Sequence, residues 1–242
     1  MNDTNHIARG GKTVYGAAVG ILMLETQFPR IPGDVGNAGT WPFPVLYKVV
    51  AGASPEKVVR GGAKGLGNVF LDAAQDLVRT GADGITTNCG FLSLFQDELG
   101  EATGVPIATS SLMQVPWVQA TLPPGKRVGI LTISSATLSA EHLACAGVPA
   151  DTPVGGTDIA GQEFTRAILG DEMELNVDLA RQDMLQGARN LVEANPDIGA
   201  IVFECTNMVP YAADVQDDLG IPVYDFYSFV TWFQAGLRPR RF

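Results

Sequence analysis

Two cysteines sit in matching settings, and thiols placed that way can move protons. Cys89 stands in Thr86-Thr-Asn-Cys-Gly90 and Cys205 in Glu204-Cys-Thr-Asn-Met208, each directly after a short β-rich run. In open α/β sheets ligands bind beyond the carboxyl ends of the strands, where helix N-termini present unpaired N–H groups. A thiol in that position is expected to have its pKa lowered, and the same N–H groups can hold a substrate carboxylate. Two thiols on opposite faces of one carbon can invert a stereocentre: one, as thiolate, removes the proton, and the other delivers a proton from the far side. Positioning and hydrogen bonds to the developing enolate must supply the rest of the stabilisation. Free cysteine more often serves as a small buried hydrophobe, and that reading is assigned to Cys145, which lies in the helical stretch 139–146 away from any strand end. Glu204 would raise the pKa of its neighbour if it pointed inward, so it is expected to point away or to be paired.

The elements that must position these thiols alternate in the manner of an α/β protein with mostly parallel strands. Residues 15–24 read as a first strand, 62–79 as an amphipathic helix, and 83–87 as the strand that ends at Cys89, with a new helix over 91–99. The second half repeats the order, with a strand at 127–132, a helix at 179–193 and a strand at 198–203 ending at Cys205. Beyond the cysteines, Gly104-Val-Pro-Ile107 matches Gly220-Ile-Pro-Val223, each proline lying 17 residues past its cysteine. The predicted fold is therefore α/β, with two similar pseudo-symmetric lobes, parallel sheets and an active-site cleft between them. The expected organisation is a flexible arm over 1–12, a first lobe from 13–121 with 224–242, and a second lobe over 122–223, split at the turn signal Leu122-Pro-Pro-Gly125.

Composition narrows the class. The chain has 242 residues, enough to bury a sizeable core, and a net charge of −10 that repels polyanions, so nucleic acid is excluded as a partner. Hydrophobic residues reach 46% against 17% charged, which predicts that some surface is hidden in a homo-oligomer. Three cysteines make no disulfide framework and no apolar run approaches membrane-spanning length, so a cytoplasmic protein with no membrane partner is expected. His6 and His142 have no ligand spacing and no dinucleotide or Walker loop is present, so neither metal nor cofactor is predicted. The glycines of 61–67 read as a tight turn or helix cap.

The cysteine motifs and the duplicated lobes resemble the aspartate/glutamate/hydantoin racemase superfamily, which also includes maleate isomerases and arylmalonate decarboxylases. The likeness runs from about Tyr15 to Val230. It implies that Cys89 and Cys205 are the catalytic thiols and that Asn88, Thr206 and Asn207, with Gly90 inside the motif, line a substrate carboxylate site. Two departures are visible: Asn207 stands where glutamate racemases carry a histidine, and the first loop reads Pro32-Gly-Asp-Val-Gly36 rather than Asp-Ser-Gly. In that long loop Asp34 and Asn37 are candidate substrate contacts, Asp34 assisting a thiol or binding an amine, with an exposed turn aspartate as the ordinary alternative. Thr132, Ser134 and Ser135 could donate to a carboxylate or simply cap the next helix. Trp41–Pro44 would form a lid or a lobe contact, and Arg30, Lys48 and Arg60 are the nearest cations for a second carboxylate. The function these features predict is cofactor-independent two-base racemisation or epimerisation of a small amino acid or related carboxylate. Maleate-type cis–trans isomerisation by covalent cysteine addition, hydantoin racemisation and a non-catalytic ligand-binding role are the alternatives.

Overall fold

Strand β1 (Val19–Leu24) is buried at all six positions, the pattern of a strand covered on both faces. It pairs in parallel with β2 (Val45–Val50) on one side and β3 (Gly84–Thr87) on the other, and β3 pairs with β4 (Ile107–Ala108). A second parallel sheet holds β5 (Arg127–Thr132), β6 (Val154–Gly156), β7 (Ile198–Phe203) and β8 (Val223–Tyr224). The strand orders, β2-β1-β3-β4 and β6-β5-β7-β8, are the same order written twice. The computed structural model describes residues 8–241, and the two sheets form two similar α/β lobes.

Parallel strands require crossovers, and helices of the expected period supply them. The helix Gly67–Thr80 buries Phe70, Ala73, Ala74 and Leu77, one stripe at i, i+3, i+4 and i+7. Its counterpart, Val177–Ala194, buries Ala180, Met184, Ala188 and Leu191. A fully buried Phe or Leu in such a stripe contributes about 1.5–3 kcal/mol relative to exposure. Gly81 ends the first of these helices at φ 147°, and a Cβ there would stand 2.2 Å from the carbonyl oxygen of Val14. The duplicated Gly-x-Pro-x motifs also have a common physical role. Gly104 and Gly220 both close a helix in the left-handed conformation at φ 67°, and the residues after each proline form the edge strands β4 and β8.

Several boundaries differ from expectation. The first strand begins only at Val19, after Gly16 at φ 93°. The segment after Cys89 starts as a 3-10 helix, Gly90–Phe95, before becoming α-helical over Gln96–Thr103. Cys145 is not core: the helix Ala140–Cys145 buries His142 and Leu143 and leaves its last residue exposed. Residues 1–7 of the predicted arm, His6 among them, lie outside the described residues, whereas Lys12 donates to the carbonyl of Gly81 and pairs with Asp83. Among the described residues no helix is long and apolar enough to cross a membrane.

The helix Phe226–Leu237 covers the second face of the first sheet, packing Phe226, Phe229, Val230 and Phe233 on Val19, Ile21 and Met23. Trp41 joins this cluster, stacked on Phe43 and Tyr227, so the Trp41–Pro44 segment provides a packing contact within it. Asp225 caps the helix, accepting from the N–H of Ser228 at 2.8 Å, while Ser228 Oγ accepts from the N–H of Asp225 at 3.1 Å. Replacing Asp225 with Ala removes that cap and is expected to cost about 1 kcal/mol. Thermal unfolding should show a Tm lowered by ~2–4 °C.

Candidate active site

The loops that follow the four central strands, β1, β3, β5 and β7, converge on one cleft enclosing about 350 Å³, the open mouth included. The loop after β1 contributes Thr26, Phe28 and Arg30; β3 contributes Asn88, Cys89 and Gly90; β5 contributes Ile133; β7 contributes Glu204, Cys205 and Asn207. This is the position the fold reserves for ligands, beyond the carboxyl ends of the strands. Both predicted thiols therefore face one cavity, at 8% and 7% exposure.

Their electrostatics reverse the expectation from helix N-termini. Burial pushes both thiols well above their ordinary pKa, and the carboxylate of Glu204 pushes them further. Backbone N–H groups of Phe91 and Leu92 at Cys89, and of Asn207 at Cys205, act in the opposite direction and are outweighed. The resting site holds neutral thiols.

Glu204 does point inward, and it is half paired. It is fully buried; Oε2 accepts from Thr132 Oγ1 at 2.8 Å, and Oε1 has no partner. Burial raises its pKa to about 7 against the pull of Thr132 and the Ile133 N–H. Gly90 makes room for it, since a Cβ at that position would lie 2.2 Å from Glu204 Oε1 and 2.5 Å from the Glu204 carbonyl oxygen. A requirement for glycine directly after Cys89 is thus steric.

The other motif residues hold the loops. Thr206 Oγ1 donates to the carbonyl of Asn88 at 2.6 Å, Asn88 Oδ1 accepts from the N–H of Leu24 at 2.7 Å, and Ser111 Oγ donates to the carbonyl of Phe203 at 2.6 Å. Cys205 Sγ donates to Asn207 Oδ1 at 3.5 Å, while Asn207 Nδ2 donates to Asp34 Oδ2 at 2.5 Å. Asp34 is a buried hub rather than an exposed turn residue, for Oδ1 also accepts from Arg30 Nη1 at 2.9 Å and from the N–H of Gly36 at 2.7 Å.

Other sequence candidates are drawn away from the cavity. Asn37 spends its amide inside its own loop, on the N–H of Gly39 and the carbonyl of Arg30. Ser134 and Ser135 turn to Asp158, whose carboxylate takes both hydroxyls and the Ser135 N–H. Thr132 serves Glu204, and neither Asp34 nor Thr206 lines the cavity. Of the three candidate cations, Lys48 pairs with Asp76 and Arg60 with Glu56, whereas Arg30 reaches the cleft. It lies over the Phe28 ring at 4.6 Å with Nη2 donating to Thr26 Oγ1 at 2.9 Å. Sequence reading missed the apolar wall of Phe28, Val59, Phe91, Ile133, Ile168 and Leu169. These are ordinary core residues by type, and only the fold brings them to one hollow. Among the described residues no group of three or more His, Cys, Asp or Glu side chains is placed to hold a metal ion.

This arrangement offers a proton acceptor at either of two thiols, a guanidinium for a carboxylate, and a dry wall. Comparison with known proteins places the family and the fold. The profile of the family described as Asp/Glu/Hydantoin racemase matches residues 53–232. A dimethylsulfoniopropionate lyase of Durusdinium sp. clade D is 31% identical over 229 residues, spanning 91% of this chain and 75% of that protein. Dimethylsulfoniopropionate lyase 7 of Emiliania huxleyi (strain CCMP1516) is 28% identical over 232 residues, spanning 91% and 67%. Among solved structures, an arylmalonate decarboxylase superposes with a TM-score of 0.58 at 18% identity, covering 90% of this chain and 92% of that one. The Picrophilus torridus aspartate racemase superposes at 0.55 with 14% identity, covering 91% and 95%. These two share the fold.

The raised Glu204 pKa has a consequence for stability. The folded chain keeps a proton on Glu204 that the unfolded chain releases near pH 4.5, so stability falls as pH rises from there through about 7. Glu204→Gln removes that slope. Urea unfolding at pH 5 and pH 8 should show the variant gaining on the native protein at the higher pH, by up to about 3 kcal/mol.

Proposed function

The chain belongs to the Asp/Glu/hydantoin racemase family, and from that premise we propose that its cleft removes a proton from the carbon beside a carboxylate and expels a sulfonium group from the next carbon. The family makes it a cofactor-independent enzyme of the racemase/decarboxylase superfamily; the lyase reaction on dimethylsulfoniopropionate is the finer reading. The observation that carries it is the pairing of two thiols and one guanidinium with an apolar wall of Phe28, Val59, Phe91, Ile133, Ile168 and Leu169.

An amino acid brings an α-ammonium that needs an acceptor. Asp34 is already taken by Arg30, Gly36 and Asn207, while Glu204 has one oxygen on Thr132 and the other over Gly90. A dimethylsulfonium group instead presents methyls and a diffuse charge, which suit the Phe28 and Phe91 rings. Its charge also acts on the thiols, because a cation in the cleft favours thiolate. Thiols held neutral by burial would then be activated by the substrate itself.

In the reaction, Arg30 holds the carboxylate and one thiolate takes the neighbouring proton. The C–H electron pair forms the new C=C bond as the C–S bond breaks, so a neutral thioether and an unsaturated carboxylate leave. The thiol's original proton leaves for water as the thiolate forms, the substrate's proton restores the thiol, and the elimination releases one proton overall. Two-base racemisation remains the second reading because both thiols, rather than one, line the same cavity.

The test is direct. Incubation with dimethylsulfoniopropionate should release dimethyl sulfide measurable by headspace gas chromatography, and Cys89→Ser or Cys205→Ser should lower the rate by ~10²–10⁴ if the thiol replaced is the base. Cys145→Ala should leave it intact, since that thiol is exposed and away from the cleft. Absence of dimethyl sulfide, together with solvent deuterium at the inverted carbon of an amino acid, would put racemisation first.

A further inference from the structure

Glu204 lines the cavity, yet the elimination just described gives it no part. An unpaired carboxylate oxygen in a dry wall is costly, by ~1–3 kcal/mol or more for a charged group. The chain nonetheless makes space for it by omitting a side chain at residue 90, and supports its other oxygen with Thr132. Glu204 is joined to Cys205 through the backbone, and its orphan oxygen lies over Gly90, the residue after Cys89. The carboxyl lines the same cavity as both thiols, and its charge acts on both.

We propose that Glu204 is the proton acceptor for the thiols: when substrate enters, its carboxylate takes the S–H proton, leaving the thiolate that attacks the substrate C–H. The inference rests on the proton-abstraction reading above. The S–H bond breaks and an O–H bond forms on Glu204; the thiolate then gains the substrate's proton, and Glu204 sheds its own to water as products leave. One proton is released per turnover, as the elimination requires. Glu204 acts through the thiols and touches no reacting carbon, so it is a positioning residue.

The charged and titratable groups that face it are few. Cys205 lies on its own strand end, Cys89 on that of β3, and Arg30 and Asp34 on the loop after β1. The β5 end presents only the Thr132 hydroxyl and the Ile133 N–H, and the helix Glu163–Leu169 presents Ile168 and Leu169. With burial holding Glu204 near 7, its carboxylate form grows across neutral pH, so turnover should rise with pH around that value.

The experiment uses the intact protein and two readouts. Alkylation of the buried thiols by iodoacetamide, followed against pH with no substrate present, should be about tenfold or more faster at pH 8 in Glu204→Gln, because a neighbouring negative charge is gone. Turnover of dimethylsulfoniopropionate by the same variant should fall at least tenfold and lose its inflection near pH 7. Faster alkylation with slower turnover is a combination that mere loss of packing does not produce. Unchanged turnover and pH profile in a folded variant would overturn the proposal. If the variant does not fold, the native protein decides: its alkylation profile must bend near pH 7 as Glu204 ionises, and a profile with a single thiol inflection overturns the proposal. Alkylation needs no substrate, so it stands even where dimethyl sulfide is not released, a result that bears on the lyase reading alone.

Discussion

The hydrogen bond from Thr206 Oγ1 to the carbonyl of Asn88 ties the loop after β7 to the loop after β3, and with them the two thiols. Each thiol lies one residue from this bond in sequence, so the spacing of the reacting groups depends on a contact between lobes rather than within one. Ser111 reinforces it from the first lobe, donating to the Phe203 carbonyl at the end of β7. The loop after β1 is drawn down by Asn207 on Asp34 and by Asp171, which accepts from the N–H of Gln27 while held at φ 52°. A non-glycine residue in that conformation is strained, and such strain persists only where the surroundings enforce it. The cleft is therefore clasped on two sides by polar contacts, buried at Thr206, Ser111 and Asn207 and exposed at Gln27.

That clasp sets the electrostatics. Closing the lobes removes water from Cys89, Cys205 and Glu204 together, and desolvation disfavours every charged form among them. The two thiols hold their protons in the resting site. Arg30, paired with Asp34 at 2.9 Å, lowers the Cys89 pKa but is outweighed by burial and by Glu204. A substrate that carries its own cation beside the reacting carbon would complete the site, so binding and activation become one event.

Much of this frame is written locally. Strands β5 and β7 run over the residues their apolar patterns predict, and the duplicated Gly-x-Pro-x motifs mark helix ends and edge strands in both halves. Local pattern fails where partners are distant in the chain. The β2 strand, Val45–Val50, hides behind a proline-rich segment and is half-buried, without clean alternation. Ser134 and Ser135 look like anion donors until Asp158 occupies them from 23 and 24 residues away. The thiol pKa values lie beyond local pattern for the same reason: the helix N–H groups are visible in sequence, but the depth of burial and the inward turn of Glu204 depend on Gly90, on the opposite lobe.

The central claim is that the cleft presents the carbon beside a carboxylate to a thiol while an apolar wall holds a cationic group. A crystal structure with 3-(trimethylammonio)propionate, which has the charges and methyls of the proposed substrate but a poor leaving group, tests it most directly. The account predicts the carboxylate on Arg30, the methyls against Phe28 and Phe91, and the carbon between them within ~4 Å of Cys89 Sγ or Cys205 Sγ. A ligand with its cationic end at Arg30, or with that carbon out of reach of both sulfurs, would contradict it.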